Sequence, residues 1–143
     1  MIRYFDASAL VKRYVREPGS ASVRRWLSGG TAATARYSLV EVASALARRS
    51  RAGDLAPGDA ERLLASLTAD AGSLLLVEFT ARVEAGARAL LAVHRLRAGD
   101  ALQLASCLHL RERSGEDVEF VGYDARLGRA ARSSGLRTRG ARP

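Results

Sequence analysis

Residues 2–10 read IRYFDASAL, and the reading of this stretch sets the reading of the whole chain. Ile2, Tyr4 and Phe5 form a short β-type apolar run that stops at an acid, Asp6. Ala7 and Ser8 follow, and a new apolar pattern with helical spacing begins. A strand that hands over to a helix across one acid is the first half of a βα unit. By itself Asp6 reads as an ordinary helix N-cap, since Asp and Ser oxygens accept from the free N–H groups of a first helical turn. A different reading needs other carboxylates at equivalent places.

The handover recurs along the chain. Residues Ser8–Arg16 read as a helix stopped by Pro18-Gly19, Ser20–Leu27 as a second helix, and Thr31–Ala35 as a strand. Gly29-Gly30 matches no phosphate-loop pattern and reads as a turn. In Ser38–Ala52 the apolar Leu39, Val42, Ala43 and Leu46 fall at i, i+3, i+4 and i+7, the stripe of an amphipathic helix. Pro57–Ala71 is a helix with Pro in its first turn. Ser73–Phe79 reads as a strand, Ala81–His94 and Asp100–Arg113 as helices, Val118–Gly122 as a strand and Ala125–Ser134 as a helix. Leu136–Thr138 is the last edge strand, and the basic tail from about 138 is expected to fray. Strands separated by helices predict one three-layer α/β/α domain over 1–143, with a mainly parallel sheet of four or five strands and Ile2–Phe5 in its centre.

Bulk properties narrow the function classes. At 143 residues the chain is long enough to bury a substantial core. The single Cys107 excludes an internal disulfide framework and a cysteine-based zinc site. No apolar run is long enough for a membrane span, and the first residues lack the apolar core of a signal peptide, so a cytoplasmic address is expected. Lys and Arg total 23 against 15 acids, a net charge of +8, and every cation but Lys12 is an arginine. Such an excess favours a polyanionic partner, nucleic acid first.

Functional groups in open parallel sheets collect outside the carboxyl ends of the strands. Asp6 ends the first strand there, and Asp124 ends a later one in EFVGYDARL. Asp100 opens a helix in RAGDALQLA, and Glu41 is expected in the first turn of another in YSLVEVASAL. Each has an ordinary reading as a cap or an exposed helix acid. Four carboxylates on one edge, however, repel unless a cation sits among them. Hard oxygen donors fit Mg²⁺ or Mn²⁺, and such ions stabilise the attacking and leaving oxygens of a phosphodiester displacement. A basic surface for the polyanion and an acidic pocket for the metal then divide the work.

These segments resemble the PIN-domain nucleases, and within them the VapC-type toxins of bacterial toxin–antitoxin pairs. YFDASALVKRYVREPGS resembles the family's opening strand and helix, and SLVEVASALARR its Glu-bearing helix. LRAGDALQLASCLHL resembles its central Asp-bearing helix, and VEFVGYDARLGRAARSSGL its closing strand, acid and helix. The resemblance implies that Asp6, Glu41 and Asp100 bind metal, that Asp124 is a fourth acid, and that Ser8 is a supporting hydroxyl. It also implies metal-dependent hydrolysis of RNA, a homodimer and inhibition by a small antitoxin.

The remaining candidates read as structural. His94 and His109 fall on helices well past the strand ends, Cys107 is a small buried hydrophobe, and Trp26 belongs to the core or a dimer interface. Arg48, Arg49 and Arg51 either follow a phosphate backbone or form a solvated helix end. A phospho-acceptor signalling domain also uses an acidic Mg²⁺ pocket, but it wants a lysine after a late strand, and Lys12 lies in the first helix. A catalytically silent RNA- or antitoxin-binding module on the same fold is the other alternative.

Overall fold

Five strands form one fully parallel sheet in the computed structural model, which describes residues 1–140. They are β1 (Ile2–Phe5), β2 (Thr31–Ala35), β3 (Leu75–Val77), β4 (Val118–Gly122) and β5 (Arg137–Gly140), and their spatial order is β3-β2-β1-β4-β5. β1 is central, as its sequence predicts. Phe5 pairs with Val121 and Tyr4 with Ala33, so the carboxyl ends of β1, β2 and β4 form one edge.

Helices cover both faces. Ile2, Tyr4 and Phe120 point to one side and pack with α5 (Ala81–Val93), α6 (Ala98–Ser114) and α7 (Ala125–Ser133). Phe5, Ala32 and Val121 point to the other and pack with α1 (Ala7–Leu10), α2 (Ser20–Leu27), α3 (Arg36–Arg51) and α4 (Asp59–Ala71). The strict alternation of side chains along a strand makes two cores from three apolar residues of β1. Cys107 is free and buried in the first core. Among the described residues no helix is long and apolar enough to cross a membrane.

Boundaries differ from expectation at α4, which starts at Asp59 and not Pro57, and at α6, which starts at Ala98, so that Asp100 is its third residue and not its first. Four further boundaries differ, each for a tertiary reason. The first helix is one α-turn continued by a 3₁₀ turn, Val11–Arg13, and here Lys12 Nζ meets Glu17 at 2.9 Å and lies over the Tyr123 ring. α3 starts at Arg36, two residues early, because β2 runs directly into it; Glu41 is therefore in its second turn and not its first. β3 is shorter than its apolar run, since its partner β2 ends at Ala35, opposite Val77. The basic tail is ordered through Gly140, because β5 pairs with β4 and Arg137 and Arg139 bind Asp117 and Glu119. Residues 141–143 of that tail lie outside the described residues.

Candidate functional site

Asp6 caps α1, as its sequence context predicts, but the cap uses only one of its oxygens. Oδ1 accepts from the Ala9 N–H at 2.9 Å and from the Ser8 hydroxyl at 2.7 Å. Among the described residues Oδ2 accepts no hydrogen bond and faces Gly122, where a Cβ would stand 2.8 Å from it. Glycine at 122 thus leaves the room in which the carboxyl group sits. Ser8 Oγ also accepts from the Tyr123 N–H at 2.9 Å, tying the Asp6 carboxylate to the turn that leads from β4 to Asp124.

Asp6 is 2% exposed, and no cation pairs with it among the described residues. Burial pushes its pKa up to about 7, with the charges of Glu41 and Asp100 adding to the rise; the bonds from Ser8 and Ala9 oppose it. Glu41 is raised by burial and by Asp100, and Asp100 by burial and by Asp124. The structure therefore brings Asp6, Glu41 and Asp100 within each other's fields and Asp124 within that of Asp100. Asp124 is exposed and caps α7 through the Leu127 N–H, 2.8 Å away, as an ordinary cap does. Arg97 and Arg126 act on Asp100 in the opposite direction to the acids.

The side chains do not close on one another. Among the described residues no three Asp, Glu, His or Cys form a ready-made metal-binding group. The donor chemistry still fits a hard divalent cation: all-oxygen donors, pKa values raised by burial and by mutual repulsion, and an Asp6 oxygen that accepts no hydrogen bond among the described residues. A cation relieves the last two at once.

Gln103 is not among the residues the sequence pointed to. It is 2% exposed, and its Nε2 donates to Glu41 Oε1 at 3.0 Å and to Ser38 Oγ at 2.9 Å. Its Oε1 accepts from the Tyr4 phenol at 2.7 Å, so both ends of the amide are satisfied inside the core. A buried amide with this complement fixes the rotamer of Glu41. The available signal was spacing: Gln103 is three residues after Asp100 and Ser38 three before Glu41, each polar on a face that should be apolar. Tyr37, whose phenol lies against Gly99 near Glu41, was also missed.

The other candidates are not part of this edge. Arg49 is bound to Glu17 and Arg48 to Ser44 of its own helix, so the phosphate-tracking reading of that pair lacks the free guanidiniums it needs. Trp26 packs against the second core and carries the Arg139 guanidinium 5.1 Å above its ring. His109 keeps a buried Nδ1 without a partner among the described residues, away from the acids on α6.

The PIN domain family model matches residues 3–132. Ribonuclease VapC49 of Mycobacterium tuberculosis (strain ATCC 25618 / H37Rv) is 37% identical over 138 residues, covering 94% of this chain and 92% of the relative. The crystal structure of Mycobacterium tuberculosis VapC20, a Sarcin-Ricin loop cleaving toxin, superposes with a TM-score of 0.69 at 18% identity, covering 99% of each chain. A toxin–antitoxin complex from Klebsiella pneumoniae gives a TM-score of 0.62 at 14% identity, covering 88% of this chain and 89% of the other. A match over this much of the chain, on the strands and helices that carry the acids, places the protein in the PIN domain family.

Proposed function

We propose that this chain is a divalent-metal-dependent endoribonuclease that hydrolyses RNA phosphodiester bonds and acts as the toxin of a toxin–antitoxin pair. One observation carries the reading. Asp6, Glu41 and Asp100 come from three separate elements to one sheet edge, and none of them is in a salt bridge among the described residues. The 37% identity to a relative named a ribonuclease supports RNA as substrate, and the fold shared with a toxin–antitoxin complex supports a cognate antitoxin. A homodimer and a cytoplasmic address complete the proposal.

Asp6, Glu41 and Asp100 would hold Mg²⁺ or Mn²⁺, with Asp124 at the rim. Such an ion, when bound, activates a water and stabilises charge on the phosphate oxygens. The chain's own groups prepare for that. Ser8 and the Ala9 N–H hold the Asp6 carboxyl in one orientation, and Gln103 does the same for Glu41. Burial of Asp6 excludes water from its inner side and keeps a proton on a large fraction of its carboxyl groups near pH 7. Cation binding must displace that proton, so affinity rises with pH through this range.

The test pairs Mn²⁺ titration calorimetry with an RNA cleavage assay on wild type, Asp6→Asn and Asp100→Asn. We expect cleavage to fall roughly 10²–10³-fold, the loss of a few kcal/mol of charge stabilisation, while the thermal midpoint of the metal-free protein holds or rises. Variants that bind Mn²⁺ as wild type does overturn the metal site. A catalytically silent RNA- or antitoxin-binding module instead predicts binding without any metal-dependent cleavage by wild type.

A further inference from the structure

The arginines of this chain differ in what holds them. Arg3, Arg13, Arg36, Arg49, Arg62, Arg82, Arg88, Arg137 and Arg139 each have a carboxylate partner and serve the protein's own architecture. Arg95, Arg97, Arg126 and Arg129 have neither an ion pair nor a side-chain hydrogen bond among the described residues, and all four are exposed. Arg95 lines one groove with Arg126 and Arg129, which come more than 30 residues later, and Arg97 and Arg126 both act on Asp100. Arg126 and Arg129 are three apart on α7, hence on one face. With Ser133 they form one wall of a groove of about 280 Å³, and the segment His94–Leu96 between α5 and α6, carrying Arg95, forms the other.

The position of the groove matters as much as its charge. Its α7 wall begins two residues after Asp124, and its other wall continues through Arg97 into α6, where Asp100 is the third residue. The groove therefore leads to the acids. Unpaired guanidiniums in this arrangement are costly to keep together, since like charges repel. They suit an anionic chain, because each planar fork grips phosphate oxygens in two hydrogen bonds.

We propose that the groove between α7 and the α5–α6 link, with Arg95, Arg126 and Arg129, holds the sugar–phosphate backbone of single-stranded RNA on one side of the scissile phosphate. This rests on the ribonuclease reading above. Arg16, Arg25, Arg51 and Arg113 are also exposed without such partners among the described residues, but none of them lines this groove. Two phosphates one helical turn apart would face Arg126 and Arg129, and the Ser133 hydroxyl stands one turn further along the same face.

The experiment compares two double variants of equal charge. Arg126→Gln with Arg129→Gln removes the groove wall. Arg51→Gln with Arg113→Gln removes two equally exposed arginines from the last turns of α3 and α6, at the far ends of the helices that carry Glu41 and Asp100. Binding of a short mixed-sequence single-stranded RNA is followed in EDTA by fluorescence anisotropy over a range of salt concentrations. KM and kcat are then measured with Mn²⁺. The groove variant is expected to bind roughly tenfold more weakly and to lose about 1.4 from the slope of log K against log salt, about 0.7 per phosphate contact. At saturating Mn²⁺ KM should rise by a larger factor than kcat falls, since Arg126 also acts on Asp100, and the control pair should match wild type in both. Equal losses in both pairs, or no loss in the groove pair while wild type binds and cleaves, overturn the groove and leave the nuclease intact. A wild type that neither binds nor cleaves this RNA removes both.

Discussion

Asp6, just past the end of β1, and Glu119, on the neighbouring strand β4, are both buried carboxylates, 2% and 5% exposed, and the protein treats them in opposite ways. Glu119 lies between two guanidiniums: Arg3 Nε is 3.3 Å from one oxygen and Arg139 Nε 3.0 Å from the other. Arg139 stacks on Trp26, and Arg3 reaches the carbonyl of Trp26 at 3.2 Å, so α2 is fastened over the same row. Asp6, about three residues (roughly 10 Å) further along the strands, has hydrogen bonds but no cation. A buried charge is tolerable only when it is paired or neutralised. The first site carries its compensation within the chain, which makes it architecture; the second lacks it, which makes it receptive.

The largest effect on stability is expected at the compensated end. Glu119→Ala leaves two guanidiniums facing each other, Arg3 largely buried, and should cost about 3 kcal/mol in urea unfolding. Mn²⁺ affinity should be unchanged, because the acids at the other end are untouched. A variant as stable as wild type would break the distinction between the two ends.

The pH dependence of the metal-free protein sharpens it. The folded pKa of Asp6, about 7, lies above its ordinary value, so folding favours the protonated form. Stability from this group is full below the unfolded pKa near 4 and is lost as pH rises through the folded value. Glu41 and Asp100 shift in the same direction. The unfolding free energy from denaturant titration should therefore fall between pH 4 and pH 8, by something on the order of 2 kcal/mol. Asp6→Asn should flatten most of that fall, and Mn²⁺ should reverse it at the alkaline end by taking the proton's place. A metal-free protein that gains stability with pH over this range would contradict the absence of compensation at Asp6.

The smallest change is Ser8→Ala. The hydroxyl donates to Asp6 and accepts from the Tyr123 N–H, so its loss frees the carboxylate without altering charge. Mn²⁺ affinity should drop about 10-fold and stability by about 1 kcal/mol, measured by calorimetry and thermal unfolding. An unaltered affinity would make Ser8 a local cap partner only.

Much of this was legible before the fold was known. The short apolar run of Ile2–Phe5, the period-3.6 stripe of α3 and the acids at their junctions are local signals, and α2, β2 and β4 begin and end where the sequence places them. Boundaries were lost where the deciding partner is remote. α3 has no side-chain cap to announce Arg36, and β3 stops where its neighbour stops. Gln103 escaped notice because an amide in a helical pattern looks like a solvent-facing residue until Tyr4 and Glu41, 99 and 62 positions away, are brought to it.

By itself the sequence determined a parallel α/β fold with carboxylates at strand ends and helix starts, because periodicity and capping act over a few residues. It also determined the surplus of arginine. Which arginines are spent was a tertiary decision. Arg49 and Arg139 read as free cations in the chain and are bound to Glu17 and Glu119 in the fold. Arg95 and Arg129, from segments 34 residues apart in the numbering, face one groove. Charge is a property of the residue, but compensation depends on distances of a few ångströms between remote residues, and only folding sets those.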